Sequence, residues 1–419
     1  MNFSSFIFLL LFLPITIIGY FLLNKKNHNE IAKLFLFVMS LWFYAYSDYH
    51  FLIILILSIL LNFGLSVWIR KINVRKLQKC LLALGIILNL ASLLYFKYTN
   101  FFEASLNQYL GTSFVLKQII LPLGISFFTF QQIAFLIDAY RDHDIIYSFL
   151  DYALFVSFFP KITQGPIALH HEIIPQFHDP KRKLFSYESA SKGLLSLSLG
   201  FAKKLILADN LGSIADWGYQ NISVLGTTNA LIVILAYTLQ IYFDFSGYCD
   251  IASGICLMLN IDLPINFNSP YKSISIDDFW KRWHITLTRF FRNYLYFPMG
   301  GSKKGTLRTY FNIFFIFFVS GLWHGAAFTF IVWGIIHGIG MCLSKLTKNI
   351  MKPVPVILRW LGTFIFVNIA WIFFRSATLS DAIQMIRQLC SLNFAPLSAD
   401  MVVIGLPSEF EFLQQLIYL

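Results

Sequence analysis

Stretches of about twenty apolar residues recur along this chain almost from end to end, separated by short basic loops. No other feature narrows its folding options as far. In hydrocarbon every backbone N–H and C=O must find its partner inside the protein, so a continuous apolar stretch of this length has to be a helix. A helix rises about 1.5 Å per residue and the hydrocarbon core is about 30 Å thick, so about twenty residues suffice to cross it. Of the 419 residues 57% are hydrophobic and only 13% are charged, against roughly a quarter charged in soluble domains. That balance excludes a disordered chain, a nucleic-acid-binding domain and an ordinary cytosolic enzyme. The expected fold is all-α and polytopic, with about ten membrane helices.

The net charge of +11 comes from 32 basic and 21 acidic residues, and the basic ones sit in short loops beside apolar runs, the pattern that sets membrane orientation. Residues 1–23 lack a basic leader and a small-residue cleavage site. They read as a retained first span with its N-terminus outside, followed by Lys25 and Lys26. Two apolar runs, 31–46 and 49–69, separate that pair from Arg70, Lys71, Arg75, Lys76 and Lys79, so both clusters fall on one side. Runs 81–96 and 119–139 then go out and return to Arg141, in parity with the basic loop at Lys181 and Lys183. The five cysteines, Cys80, Cys249, Cys256, Cys342 and Cys390, show no paired spacing and read as small hydrophobes.

Several places depart from plain spans. Residues 149–159 are too few to cross, and Pro160 with KITQGP suggests a re-entrant piece. In ALIVILAYTLQIYFDFSGY, Tyr237, Gln240, Asp244 and Tyr248 follow at spacings of three, four and four, which puts them on one helix face. Such a stripe must face protein or a water-filled cavity. Interhelical hydrogen bonding and a substrate passage are both open, and Asp244 needs a partner in either case.

Residues 310–343 would make one helix of about 51 Å, too long for the membrane. The run must tilt, break or turn back, and Gly321 and Gly325 bracket the expected break point, with His324 between them. A membrane histidine can serve an interhelical hydrogen bond or chemistry. The flanking Trp323 and the glycines, which permit close approach, favour chemistry. His337 follows after a rotation of about 220° on a continuous helix, so the two imidazoles make no metal pair unless the chain turns between them. His170, His171, Glu172 and His178 lie in a loop without zinc-type spacing, and no metal is expected.

In DDFWKRWHITLTRFFRNYLYFPMGGSKKG, Trp280, Trp283, Phe290, Tyr294 and Phe297 recur at helical spacings, interleaved with Lys281, Arg282, Arg289 and Arg292. A helix lying in the headgroup layer accounts for that pattern. It leaves His284 unexplained, and whether the cations meet lipid or an anionic substrate stays open.

Five elements in order, LPLGISFFTFQQIAFLIDAYR, FFPKITQGPI, LQIYFDFSGYCDIASG, LPINFNSPYKSISIDDFWKRWHITLTRFFRNYLYFPMGG and GLWHGAAFTFIVWGIIHG, resemble the membrane-bound O-acyltransferase family. The likeness covers most of the chain and is strongest to the bacterial branch of alginate and peptidoglycan O-acetylation membrane subunits. It implies a ring of about ten tilted helices, with re-entrant and interfacial helices, around a thin centre with a funnel on each side. It carries the family's essential histidine onto His324 and its second histidine onto His284. Acetyl-CoA would be the acyl donor, reaching the site from the cytoplasm, with no permanently bound cofactor. The acceptor would be an extracytoplasmic cell-surface glycan, served through an SGNH-hydrolase-like partner at a bacterial inner membrane. Under this reading Lys281, Arg282 and Arg289 are candidates for the donor's phosphates. Trp283 and Trp323 flank the histidines, and Gln240 and Asp244 would line the passage. D-alanyl transfer to teichoic acid and a proton-coupled transporter are the competing functions.

Residues 1–375 are expected to form the membrane domain, and 376–419 an interfacial helix and tail. Ala382, Met385, Ile386 and Leu389 mark that helix's apolar face. Tyr418 reads first as a tail residue at the interface, and standing in for the terminal tyrosine of relatives is the lesser alternative.

Overall fold

The structure, a computed structural model, describes residues 1–46, 48–144, 146–394 and 396–404. No strand occurs among them. The helices are α1 (Leu13–Lys25), α2 (Asn29–Ala45), α3 (Tyr49–Lys71), α4 (Arg75–Leu110), α5 (Ile125–Arg141), α6 (Phe149–Ser157), α7 (Phe159–Ile162), α8 (His170–His178) and α9 (Tyr187–Phe201). There follow α10 (Asp209–Gln220), α11 (Thr227–Met258), α12 (Ile276–Arg282), α13 (Ile285–Phe291), α14 (Thr306–His324), α15 (Phe328–Leu346), α16 (Val356–Arg375), α17 (Leu379–Cys390) and α18 (Ala399–Ile404).

Seven helices are long and apolar enough to cross a membrane: Phe8–Lys25, α3, α4, α11, α14, α15 and α16. Two further apolar helices come near that length. The apolar runs that became α2 and α5 stop at 17 residues each, about 25 Å of helix. The helix of α9 passes at Ala202 into a π turn. The chain packs as two compact units, one of Met1–Leu199 with Cys249–Ile265, the other of Gly200–Tyr248 with the described residues from Asn266 onward.

In the first unit the short α6 is buried from Asp151 to Ser157, and α7 along its whole length. Their polar groups are satisfied internally, as burial demands. Lys33 donates to Asp151 at 2.8 Å with both side chains almost fully enclosed, and Lys161 donates to Gln131 Oε1 at 2.6 Å.

The core of the second unit is aromatic. Phe279, Trp280, Trp283, Phe317, Trp333 and Trp371 are all buried in one cluster. The run 310–343 turns back on itself: α14 ends at His324, Gly325 to Ala327 are extended or turn, and α15 returns beside α14. The two helices touch backbone to backbone. A methyl placed on Gly321 would lie 2.4 Å from the Phe330 carbonyl oxygen, and one on Gly334 would lie 2.5 Å from that of Phe317.

Two amphipathic segments bury their apolar faces in protein. Residues 274–299 are not one surface helix, because His284 at φ 42° breaks α12 from α13, and Trp280 and Trp283 turn inward. On α17, Ala382 and Met385 pack against Ile222, Val233, Ile234 and Ile372. Of the cysteines, Cys249 and Cys256 are buried, while Cys80 and Cys390 are exposed. Tyr418 lies outside the described residues.

Candidate active site

The local backbone places each histidine. His284 occupies the left-handed region, where a non-glycine residue is costly and needs support from its surroundings. Asn266 supplies that support. Its Oδ1 accepts from the Thr286 backbone N–H at 3.2 Å and from the Thr286 hydroxyl at 2.8 Å, and lies 3.1 Å from His284 Nδ1. An oxygen that accepts a backbone N–H is fixed as the amide carbonyl, so Nδ1 of His284 carries the proton and Nε2 holds a lone pair. The ring is buried and meets Phe245 edge-on at 4.8 Å. His284 lies outside the spanning helices, and burial pulls its pKa down to about 3. It is neutral throughout the physiological range.

His324 closes α14 and is half-buried. Its ring lies 4.8 Å from Trp323, 4.9 Å from Trp333 and 5.1 Å from Phe374. Trp323 also faces His284, at 6.4 Å, so one indole stands between the two imidazoles. The histidine singled out at the expected break therefore sits at a helix end inside an aromatic cage, because the chain reverses directly after it.

That reversal brings in a third histidine. Trp333 lies 4.9 Å from His324 and 4.8 Å from His337. His337 is wholly buried, and its Nδ1 accepts from the Trp280 indole N–H at 3.2 Å. Nε2 of the neutral ring is then a donor, and it has no hydrogen-bond partner among the described residues. The 220° rotation set His337 aside only for a continuous helix. The signal that could have found it was the break at Gly325 combined with a polar imidazole in an otherwise apolar run, IVWGIIHGIG.

Beside this cluster is a cavity of about 880 Å³. Trp280, Phe317 and Phe366 are among its apolar lining, Ser320 adds a hydroxyl, and Lys281, Arg292, Lys345, Lys348, Lys352 and Arg359 are its basic lining, against one carboxylate, Asp277. Asp277 pairs with Lys281. Nε of Arg359 is buried with no hydrogen-bond partner among the described residues. Ser320 precedes His324 by four residues, on the same face of α14. The cavity therefore reaches within one helical turn of the imidazole.

Of the residues expected to meet the donor, Lys281 lines this cavity; Arg282, Arg289, Trp283, Trp323, Gln240 and Asp244 are not among its lining residues. Arg282 pairs with Asp278 at 2.9 Å. Trp283 stacks on Phe279 at 5.6 Å. Asp244 has its partner in Lys204 at 2.7 Å, which also holds Asp209 at 2.8 Å. Burial lowers the Lys204 pKa, but the two carboxylates outweigh it and the net shift is upward. Gln240 packs its amide nitrogen on Gly212. The stripe on α11 thus engages other helices of its own unit.

The fold thus sets imidazoles in an aromatic cage beside a cavity whose basic lining attracts anions. The chain belongs to the membrane-bound O-acyltransferase family, whose sequence profile matches residues 38–380. It is a multi-pass membrane enzyme, an O-acyltransferase. A peptidoglycan O-acetyltransferase of Helicobacter pylori is 41% identical over 93% of this chain and 80% of its own length. The probable alginate O-acetylase AlgI of Pseudomonas aeruginosa is 38% identical over 95% of this chain and 76% of its own. A teichoic acid D-alanyltransferase of Bacillus subtilis is 28% identical, over 52% of this chain.

Proposed function

We propose that this enzyme transfers an acetyl group from acetyl-CoA, taken from the cytoplasmic side, for O-acetylation of an extracytoplasmic glycan of the peptidoglycan or alginate kind, through a partner protein. The observation that carries the reading is the cavity, whose six cations and single carboxylate suit a polyphosphorylated donor. Its uncharged lining, including Trp280, Phe317 and Phe366, suits an uncharged thioester arm. The names of the relatives at 38–41% identity support acetyl over D-alanyl transfer.

In the proposed step the acceptor hydroxyl attacks the thioester carbonyl while the His324 imidazole takes its proton. The new C–O bond forms, the C–S bond breaks, and the departing thiolate recovers the proton from His324. General-base help of this kind contributes about 10²–10⁴ in rate. His284 has a different part. With its proton committed to Asn266, Nε2 can accept but not donate, so it orients a hydroxyl or amide N–H instead of protonating the thiolate.

The test is release of free CoA from acetyl-CoA by purified protein in nanodiscs, with and without an outer-face acyl-accepting partner. His324→Ala should abolish release while the protein stays folded. Equal release by wild type and variant would sink the base assignment. Turnover of a D-alanyl thioester but not of acetyl-CoA would replace the donor.

A further inference from the structure

The first unit holds a side-chain cluster that acyl transfer does not use. Asp138 lies in the last turn of α5, and His170 and His171 open α8. One ligand atom from each of the three lies within 4.8 Å of the others. His170 is 2% exposed. Its Nε2 is 3.1 Å from Asp138 Oδ2 and its Nδ1 is 3.2 Å from the Tyr147 hydroxyl. The other Asp138 oxygen faces Arg141 at 3.9 Å. His171 is exposed, with its ring perpendicular to that of His170 at 5.2 Å.

We propose that Asp138, His170 and His171 form a binding site for one divalent first-row transition-metal ion of the zinc type, joining the end of α5 to the start of α8. Two imidazoles and a carboxylate are a donor set that zinc accepts, with a fourth position left to water. Bond lengths of about 2.0–2.2 Å in a tetrahedron set ligand atoms roughly 3.3 Å apart, so the Nε2 to Oδ2 spacing already fits. The His171 arm has to close by no more than about 1.5 Å from that limit of 4.8 Å, and an exposed side chain does this by changing rotamer.

The outer nitrogen of His170 is held by a hydroxyl, the kind of support that orients metal-bound imidazoles. Proton bookkeeping is consistent with this. Without metal, Nε2–H donates to Asp138 and Tyr147 donates to Nδ1. With metal on Nε2, the proton resides on Nδ1 and Tyr147 accepts. Sequence spacing conceals the set because the carboxylate is 32 positions from the first imidazole.

The experiment uses the full chain, purified in detergent and stripped with a chelator, titrated with Zn²⁺ against a chromogenic competitor. The variants are His171→Ala, an exposed position that leaves the core untouched, and Asp138→Asn. Wild type should take up one tight equivalent and rise in Tm. Each variant should lose that equivalent or bind it at least tenfold more weakly. Absence of tight uptake by wild type, or an equivalent retained unchanged by His171→Ala, overturns the proposal. The second result would assign the ion to surface histidines such as His28 and His50.

Discussion

Gly321→Ala is the sharpest probe of how the fold positions the chemistry. The added methyl would sit 2.4 Å from the Phe330 carbonyl oxygen, with Gly334 Cα behind it at 3.1 Å. A carbon and a carbonyl oxygen settle at about 3.3 Å, so α14 and α15 must part by about 0.9 Å. The obstacle is backbone, which cannot step aside as a side-chain tip can. Overpacking of this kind costs about 1–3 kcal/mol. His324 follows three residues later on α14, while its cage partner Trp333 is on α15, so the separation falls on that pair. A misplacement of about 1 Å is worth on the order of 10² in rate. The assay pairs thermal unfolding in detergent with CoA release. Gly64→Ala serves as the control, since nothing lies within 4 Å of its added methyl; there the variant should hold or gain up to about 1 kcal/mol. Gly321→Ala with wild-type Tm and rate within twofold would refute both the close packing and its link to the imidazole.

Other expectations follow from single contacts. His284 has its folded pKa depressed to about 3, so as pH falls below about 6.5 the unfolded chain takes a proton that the folded chain refuses. Its neutral burial is fully compatible with folding above that pH and costs about 2 kcal/mol by pH 5; the acid-side slope of Tm should flatten in His284→Asn. Asn266→Leu removes the acceptor that fixes the His284 tautomer and should cut acetyl transfer by tenfold or more, a loss that Asn266→Asp partly rescues. Trp280→Phe removes the indole N–H that donates to His337 Nδ1 and should cost about 1–3 kcal/mol in unfolding measurements. Lys348→Glu with Lys352→Glu, both exposed in the cavity lining, should raise KM for acetyl-CoA at least tenfold and leave Tm near wild type; unchanged KM would remove the phosphate role.

Much of the architecture was legible in the chain because hydrocarbon leaves so few choices. Apolar run length forces helices, and the excess length of 310–343 forced a break that the structure puts at Gly325. The acid on α11 demanded a partner, and Lys204 is that partner. His284 and His324 stood out as polar groups in apolar or aromatic surroundings, and a family likeness carried by five ordered motifs pointed to acyl transfer.

What periodicity cannot convey is which faces meet. The spacing of Trp280 and Trp283 reads equally well as a lipid-facing stripe or a buried one, and a single left-handed residue, His284, turned it inward. The bend after His324 put Trp333 between two histidines that a continuous helix would have kept apart. The cations of the cavity come from four separate stretches of chain, and Asp138 joins His170 across 32 positions. Local pattern settles how each segment folds, since backbone hydrogen bonds and solvent act residue by residue. Sites are made where segments cross, and those crossings depend on packing contacts far apart in sequence.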